Sequence, residues 1–193
     1  MILASSNKGK LSEIRAVLEP LGYTLTSQEE FNIRETPEET GQTFIENALL
    51  KARYAARMTQ MPAIADDSGL VVPALMGRPG IYSARFAGEN AADKENYEKL
   101  LQEMQYLSGD DRKACFYSII VLLKAADDPV PIVAQGIWEG TIALSPKGYN
   151  GFGYDPVFYI PELGCTAAEL SSDEKNQYSH RAKALRQLQR KSR

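Results

Sequence analysis

Short apolar runs alternate along the chain with segments whose apolar residues recur every three or four positions. The run at residues 1–4 predicts a buried strand, and a helix is predicted after it, with an apolar face at Leu11, Ile14, Val17, Leu18 and Leu21. The clearest helix is predicted at residues 40–59, with a broad apolar stripe at Phe44, Ile45, Ala48, Leu49, Ala52, Ala55 and Ala56. This alternation of strands and helices is typical of an α/β protein.

The remaining pattern predicts strands at residues 23–26, 63–65, 70–72, 114–123, 132–136 and 138–144, and a helix at 92–105. Some of these strands are joined by helices and others by hairpin turns, so the sheet is predicted to be mixed. Near the C-terminal end, residues 171–174 fit a capping box. The segment after the box is either one helix or two, the second starting at His180 with Leu185 and Leu188 facing the core.

Two adjacent carboxylates, Asp66 and Asp67, come at the predicted end of the strand at 63–65, and Ser68 and Gly69 follow them. Strand ends are where sheet proteins place their chemistry. Because two like charges repel, the pair favours a bound cation, and a divalent metal among carboxylates is typical of sites for phosphorylated substrates. The alternative is a solvated turn, since Asp, Ser and Gly are ordinary turn residues.

The first strand is followed by a small polar loop that resembles a phosphate site. Ser5, Ser6, Asn7, Lys8, Gly9 and Lys10 lie between the strand and the helix. Free backbone N–H groups and the helix dipole attract an anion at such a position, and lysine adds a full charge. The spacing is not that of a Walker loop. The alternative is helix capping by Ser6 or Asn7, with both lysines in solvent.

The helix at 40–59 adds two further candidates. Glu38 and Glu39 lie just before it or in its first turn, where the helix dipole favours negative charge. At about 100° per residue, Lys51 falls inside the apolar stripe. It either extends its ammonium group to solvent, as most such lysines do, or serves a buried phosphate site.

Two segments in the second half of the chain also carry candidate groups. Residues 148–158 place three glycines among aromatic residues and an acid, so the segment is either a base-binding loop or an ordinary glycine-rich turn. The C-terminal segment contains Lys175, Arg181 and the single histidine, His180. A lone histidine is more often structural than catalytic, but the adjacent arginine favours a corner that binds an anion or a carbonyl group.

Composition limits the class of protein. The 193 residues suit one domain, or one domain with two lobes, and 44% hydrophobic with 24% charged residues is ordinary globular usage. A net charge of −3 argues against a nucleic-acid-binding surface. Two distant cysteines indicate neither a disulfide framework nor a zinc site. With no signal peptide and no apolar run long enough for a membrane span, a cytoplasmic protein is expected, with neither nucleic acid nor membrane as partner.

Taken in order, these segments resemble the inosine triphosphate pyrophosphatase family, most closely its bacterial members. The residues that carry the resemblance span nearly the whole chain: Ser5 to Lys10, Glu38 to Gly41, Phe44 to Ala48, Ala65 to Leu70, Gly80 to Arg85, Gly151 to Pro156 and Ser179 to Arg181. Each motif alone is weak, and their common order makes the resemblance specific.

The resemblance implies a mixed α/β fold with a long curved sheet flanked by helices, two lobes and a central nucleotide cleft, in one pyrophosphatase domain over residues 1–193, usually as a homodimer. It implies Mg²⁺-dependent hydrolysis of non-canonical purine nucleoside triphosphates (ITP, dITP and XTP) to monophosphate and pyrophosphate. Asp67 would be the general base or share the metal with Glu38 and perhaps Glu39. The substrate-binding residues would be Ser5, Ser6, Asn7, Lys8, Gly9, Lys10, Lys51, Ser68, Phe152, Gly153, Tyr154, Asp155, Lys175, His180 and Arg181.

Within that set, Phe152 would stack on the base, and Lys175, His180 and Arg181 would reach its edge. Donors there would favour a 6-keto purine and oppose the 6-amino group of adenine. Two other functions fit the same residues. One is a nucleotide sensor that does not hydrolyse its ligand. Binding alone, however, would not require the four acids Glu38, Glu39, Asp66 and Asp67. The other is a pyrophosphatase for modified pyrimidine nucleotides.

Overall fold

A computed structural model describes residues 1–33 and 35–192. Its helices are α1 (Lys8–Leu18), α2 (Phe44–Thr59), α3 (Asp93–Glu103), α4 (Ser172–Tyr178) and α5 (His180–Lys191). Its strands are β1 (Ile2–Leu3), β2 (Thr26–Ser27), β3 (Ala63–Val71), β4 (Lys113–Leu123), β5 (Ile132–Ile142), β6 (Phe158–Ile160) and β7 (Cys165–Thr166). They form one sheet in the order β2-β1-β3-β4-β5-β6-β7. Because β1 pairs in parallel with β2 and β3, whereas β6 pairs antiparallel with β5 and β7, the predicted mixed α/β fold is confirmed.

The chain divides into two compact units. The first unit contains Met1–Asp67, Ser118–Gly136 and His180–Arg193. Its core packs the apolar faces of α1 and α5 with side chains of β1, β3, β4 and β5 and of the segment before β2: Leu3, Ile14, Leu18, Leu25, Ile64, Ile120, Ala134, Ala184, Leu185 and Leu188. The stripe predicted on α1 is therefore confirmed at Leu11, Ile14, Val17 and Leu18, and so are the two inward leucines predicted on α5. The prediction was wrong for Leu21, which follows the end of α1 and is exposed.

The second unit contains Ser68–Tyr117 and Ile137–Ser179. Three aromatic rings pack at its centre, with the Phe158 centroid 4.6 Å from that of Phe116 and 5.3 Å from that of Trp138. Arg112 is also buried in this unit and donates hydrogen bonds to the backbone carbonyls of Met104, Leu107, Ile142 and Ala143. The guanidinium group thus donates to carbonyl oxygens at the ends of chain segments. These bonds supply the hydrogen-bond partners that buried polar groups require.

The structure corrects the predicted position of the two aspartates. β3 does not end at Ala65 but continues to Val71, so Asp66 and Asp67 lie in the middle of the strand and residues 70–72 form no separate strand. The strand can bury both carboxylates because cationic side chains pair with them, as described below.

The predicted start of the long helix was also wrong. α2 begins at Phe44, because Thr43 caps it by accepting a hydrogen bond from the backbone N–H of Glu46. Glu38 and Glu39 therefore lie in an irregular segment before the helix and not in its first turn.

β5 is one strand where two had been predicted, at 132–136 and 138–144. Gly136, between them, does not break the strand. A Cβ atom at this position would lie 1.9 Å from the carbonyl oxygen of His180, so glycine permits close approach of β5 to the start of α5.

At the C-terminal end, the capping box at Ser171 and Glu174 is confirmed, and so is the alternative with two helices, since α4 ends at Tyr178 and α5 begins at His180. Among residues 1–33 and 35–192, no helix is both long enough and apolar enough to cross a membrane.

Candidate active site

Asp66 is the centre of a buried charge network in the first unit. Its carboxylate lies 3.0 Å from Lys10 Nζ and 3.2 Å from Arg181 Nη2, and it accepts a 2.6 Å hydrogen bond from Ser118 Oγ. Burial alone would raise the pKa of Asp66, but Arg181 and Lys10 hold it well below the usual range. Asp66 is therefore an ionised anchor that fixes two cations.

Arg181 joins helix α5 to helix α1 through this network. Its guanidinium group is fully buried and forms ion pairs with Glu13 on α1 and with Asp66 on β3. These two carboxylates outweigh the effect of burial and raise the pKa of Arg181. The structure thus places this arginine on acids of its own unit, and contact with a base edge stays a prediction.

Asp67, the next residue of β3, has a different environment. Its Oδ1 atom accepts a 2.6 Å hydrogen bond from Lys51 Nζ on α2, and the same ammonium group lies 3.1 Å from Glu39 Oε1. Asp67 Oδ2 is buried and has no hydrogen-bond partner among residues 1–33 and 35–192. Burial raises the pKa of Asp67, against the attraction of Lys51 and Lys10. A buried carboxylate with one oxygen available can accept a proton or bind a cation.

Lys51 does not extend to solvent. Its side chain is 12% exposed, and its ammonium group bridges Asp67 and Glu39. Burial lowers the pKa of Lys51, but the two carboxylates more than compensate, and the net pKa is raised. Lys51 is therefore a charged group between Asp67 and Glu39. Of the two alternatives for this lysine, extension to solvent is wrong, and a role at a phosphate site stays a prediction.

The predicted metal ligands are Glu38, Glu39 and Asp67. Within the described part of the chain, no group of three His, Cys, Asp or Glu residues is already arranged around a metal position. Two of the three predicted ligands, Glu39 and Asp67, nevertheless direct oxygens at one cation, the Lys51 ammonium. Glu38, the third, is exposed and precedes Glu39 in sequence. Because carboxylate oxygens are the ligands that Mg²⁺ prefers, the residues present fit that ion.

The predicted phosphate loop lies between β1 and α1. Asn7 is the N-cap, and its Oδ1 accepts a 3.0 Å hydrogen bond from the backbone N–H of Lys10, so the capping alternative is confirmed for Asn7 and not for Ser6. Ser5 is buried and accepts from the N–H of Asn7, whereas Ser6 and Lys8 are exposed. Capping leaves the other first-turn N–H groups, including that of Gly9, pointing out of the helix end.

The capping alternative predicted Lys10 to lie in solvent, and this prediction was wrong. Its ammonium group reaches Asp66, and its pKa is lowered, first by burial and then by the nearby cations Lys51 and Arg181, against the attraction of Asp66. Three cations therefore lie around the two aspartates, which is the charge that a polyanionic substrate requires.

In the second unit, the turn at residues 151–155 brings three predicted residues together. The Lys175 ammonium lies 4.6 Å from the centroid of the Phe152 ring and forms an ion pair with buried Asp155. Asp155 Oδ2 also accepts a 2.9 Å hydrogen bond from the Phe152 N–H. Asp155 is thus bound by its neighbours and positions both Phe152 and Lys175.

Two further bonds hold the same turn. The N–H of Gly153 donates a 2.7 Å hydrogen bond to Asp93 on α3, and the hydroxyl of buried Tyr154 donates to the backbone carbonyl of Ser83. Ser83 belongs to the Gly80–Arg85 segment, which forms a short 3₁₀ helix. The aromatic turn is therefore fixed from two other segments of its own unit.

Ser68 and His180 are the remaining residues of the predicted site. Ser68 is half-buried on β3 within the second unit, and His180 is buried as the first residue of α5 in the first unit.

Sequence reasoning missed Glu13, Ser118 and Asp93. Only Glu13 had a usable signal, because it follows Lys10 by three residues on α1 and so lies on the same helix face.

A sequence model described as the Ham1 family matches residues 1–191. The chain belongs to the Ham1 family. This Ham1 chain is 53% identical over 188 residues to a dITP/XTP pyrophosphatase of Vibrio cholerae serotype O1, covering 97% of the chain and 94% of that relative. It is 54% identical over 191 residues to a dITP/XTP pyrophosphatase of Haemophilus influenzae, covering 99% and 97%.

Solved structures agree with this assignment. A HAM1 protein from Coxiella burnetii superposes on this Ham1 chain with a TM-score of 0.90 at 48% identity, covering 99% of the chain and 96% of that protein. The Staphylococcus aureus Ham1 protein gives 0.87 at 43% identity, with the same coverage. The resemblance to inosine triphosphate pyrophosphatases of bacteria is thereby confirmed.

Proposed function

We propose that this chain is a pyrophosphatase that hydrolyses ITP, dITP and XTP to the nucleoside monophosphate and pyrophosphate. The observation that carries the proposal is the arrangement of Asp67, Lys51 and Glu39. A buried carboxylate oxygen lies there beside a cation that is shared with a second acid. Relatives named dITP/XTP pyrophosphatase, at more than half identity over nearly the whole chain, support the substrate class.

Electrostatic neutralisation of the triphosphate is the first task of the site. Lys10 and Lys51 supply positive charge in the first unit, and the loop from Ser5 to Gly9 supplies N–H groups at the start of α1. Preorganised charge of this kind stabilises the negative charge that accumulates on the phosphate oxygens during attack. Because Asp66 fixes Lys10, this lysine is held in place before substrate binds.

Asp67 is the proposed general base. A water molecule within hydrogen-bond reach of Oδ2 would lose its proton to this oxygen as it attacks the α-phosphorus, and pyrophosphate would leave. Lys51 holds the other oxygen of the carboxylate, so the base is oriented while Oδ2 stays available.

Mg²⁺ is the proposed cofactor, with Asp67, Glu39 and Glu38 as the residues that would hold it. When bound, a divalent cation of this kind polarises phosphoryl oxygens and neutralises their charge. The proposal rests on the two carboxylates that already converge on one ammonium group.

Base recognition is proposed for the aromatic turn of the second unit. Phe152 would stack on the base, with Gly153, Tyr154 and the cation of Lys175 beside it. The family resemblance implies that Ser68 would contact the substrate and that His180 and Arg181 would reach the base edge. Donors at that edge would accept the 6-keto group of hypoxanthine or xanthine and leave the amino group of adenine unpaired, at a cost of roughly 1–3 kcal/mol.

The proposal also includes a homodimer and a cytoplasmic location. Two half-buried cysteines that form no disulfide in the described chain support a reducing compartment. Light scattering of the purified protein tests the dimer.

The function is tested by pyrophosphate release from a panel of nucleotides, with and without Mg²⁺. We expect release from ITP, dITP and XTP, dependence on Mg²⁺, and little release from ATP or from modified pyrimidine nucleotides. Tight binding of dITP without any product would instead support a sensor, and release first from ATP would contradict the proposed selectivity.

A further inference from the structure

Asn47 is a fully buried polar residue to which the proposed mechanism gives no role. It lies in the first turns of α2, and its Oδ1 atom accepts a 2.9 Å hydrogen bond from the backbone N–H of Gly41. Its Nδ2 atom is buried and has no hydrogen-bond partner within residues 1–33 and 35–192. An unpaired buried donor costs roughly 1–3 kcal/mol, so the hydrogen bond to Gly41 is made at a cost in stability.

Gly41 is fitted closely to this amide. A Cβ atom at residue 41 would lie 2.6 Å from Asn47 Oδ1 and 2.6 Å from Glu46 Cβ, which is closer than real Cβ contacts allow. The backbone that follows Glu38 and Glu39 is therefore pressed against α2, and the contact requires both the glycine and the asparagine.

Asn47 and Lys51 are four residues apart on α2, so they project from the same face of the helix. Asn47 binds the backbone two residues after Glu39, and Lys51 binds the Glu39 side chain at 3.1 Å. One helix face thus holds the acidic segment at two points, one on its backbone and one on its carboxylate.

We propose that Asn47 is a positioning residue. It fixes the acidic segment Glu38–Glu39 so that the carboxylates of this segment and of Asp67 can bind one divalent cation. The inference rests on the proposed function, because it assigns the divalent cation to these acids. Without the Gly41 contact, the acidic segment would lose this backbone attachment to α2, and the Lys51 ammonium group that binds Glu39 must also serve Asp67. The metal would then bind more weakly, while the fold and the general base would remain.

The test is Mn²⁺ binding to nucleotide-free protein, followed by electron paramagnetic resonance of the free ion, in the wild type, Asn47→Ala and Gly41→Ala. We expect each variant to bind Mn²⁺ about tenfold more weakly, as is common when a group that orients metal ligands is lost. Under saturating metal, kcat for dITP should stay within about threefold of wild type, with the half-saturating metal concentration raised.

The matched control is Asn96→Ala. Asn96 is likewise buried on a helix, and its amide bonds to the backbone of Ala87 and Ala84 within the second unit, so neither bond involves Glu38, Glu39 or Asp67. It should lower the melting temperature at least as much as Asn47→Ala and leave Mn²⁺ affinity unchanged. Gly41→Ala keeps the test decisive should Asn47→Ala fold poorly, because Gly41 is only half-buried.

Equal Mn²⁺ affinity in wild type, Asn47→Ala and Gly41→Ala would overturn the inference, as would an equal loss in Asn96→Ala or a wild type that binds no Mn²⁺. None of these results depends on turnover. Failure of wild-type protein to release pyrophosphate from dITP would overturn the proposed function instead, and the two failures are therefore distinguishable.

Discussion

Lys51 Nζ lies 2.6 Å from Asp67 Oδ1, and this pair links α2 to the middle of β3 inside the first unit. The contact orients a buried carboxylate and leaves its second oxygen without a partner in the described chain. The two adjacent aspartates therefore have different roles, because Asp66 is fully occupied by Lys10, Arg181 and Ser118.

Asp67→Asn should remove most of the turnover. The amide can still accept a hydrogen bond from Lys51, so the fold should persist, but it cannot take a proton from water. We expect kcat for dITP to fall about a hundredfold to ten-thousandfold, the range typical of a lost general base. Steady-state kinetics and circular dichroism check both statements.

The control is Asp127→Asn, at the exposed first member of an Asp-Asp pair in the turn between β4 and β5. Turnover by Asp67→Asn that matches this control would remove Asp67 from its role.

Lys51→Met should make the fold depend on divalent cations. Without the ammonium group, Asp67 and Glu39 lose the cation that they share, and loss of one partner of a buried pair costs about 3 kcal/mol. We expect a lower melting temperature. Mg²⁺ at about 10 mM, enough to saturate a weak oxygen site, should partly restore it.

The surface variant Lys124→Met removes the same charge at an exposed position and should show neither effect. Full stability of Lys51→Met in the presence of a chelator would contradict the bridging role of this lysine.

The stability contributed by Asp66 should depend on pH. Its folded-state pKa is depressed below the unfolded value, so its contribution is complete above about pH 4 and is lost as pH falls through the folded pKa. Asp66→Asn should therefore be less stable than wild type by roughly 3–5 kcal/mol at neutral pH, with a smaller difference in acid.

Urea unfolding at pH 7 and at pH 3 measures this difference. A gap of the same size at both values would show that the ionised carboxylate is not what stabilises the network.

Phe152→Ala should weaken substrate binding more than it slows the reaction. Stacking of a base on an aromatic ring contributes roughly 1–3 kcal/mol, so KM for dITP should rise about tenfold or more while kcat changes little. Tyr149, a fully exposed aromatic residue just before the same turn, provides the control variant Tyr149→Ala. An unchanged KM in Phe152→Ala would exclude Phe152 as the stacking residue.

The parts of this fold that sequence predicted are those encoded locally. The periods of α1, α2 and α5 followed from side chains three or four residues apart, and Lys51 was singled out because its helical angle placed it among apolar residues. The order of motifs indicated the family, which the comparisons confirmed.

The remainder depended on distant partners that spacing along the chain does not encode. Arg181 and Asp66 are 115 residues apart, and only the folded sheet brings them into contact. The strand was predicted to end at Asp66 and Asp67 because the apolar run stops there, yet paired cations let it continue. The start of α2 was misplaced because Thr43, and not an earlier residue, provides the cap.

The most direct test of the central claim is the identity of the products formed from dITP by wild-type protein with Mg²⁺, followed by ³¹P nuclear magnetic resonance. Attack at the α-phosphorus predicts dIMP and pyrophosphate in equal amounts from the first time point, with product formation slowed about a hundredfold or more in Asp67→Asn. Appearance of dIDP with inorganic phosphate would contradict the account, because the site would then cleave the terminal phosphoanhydride.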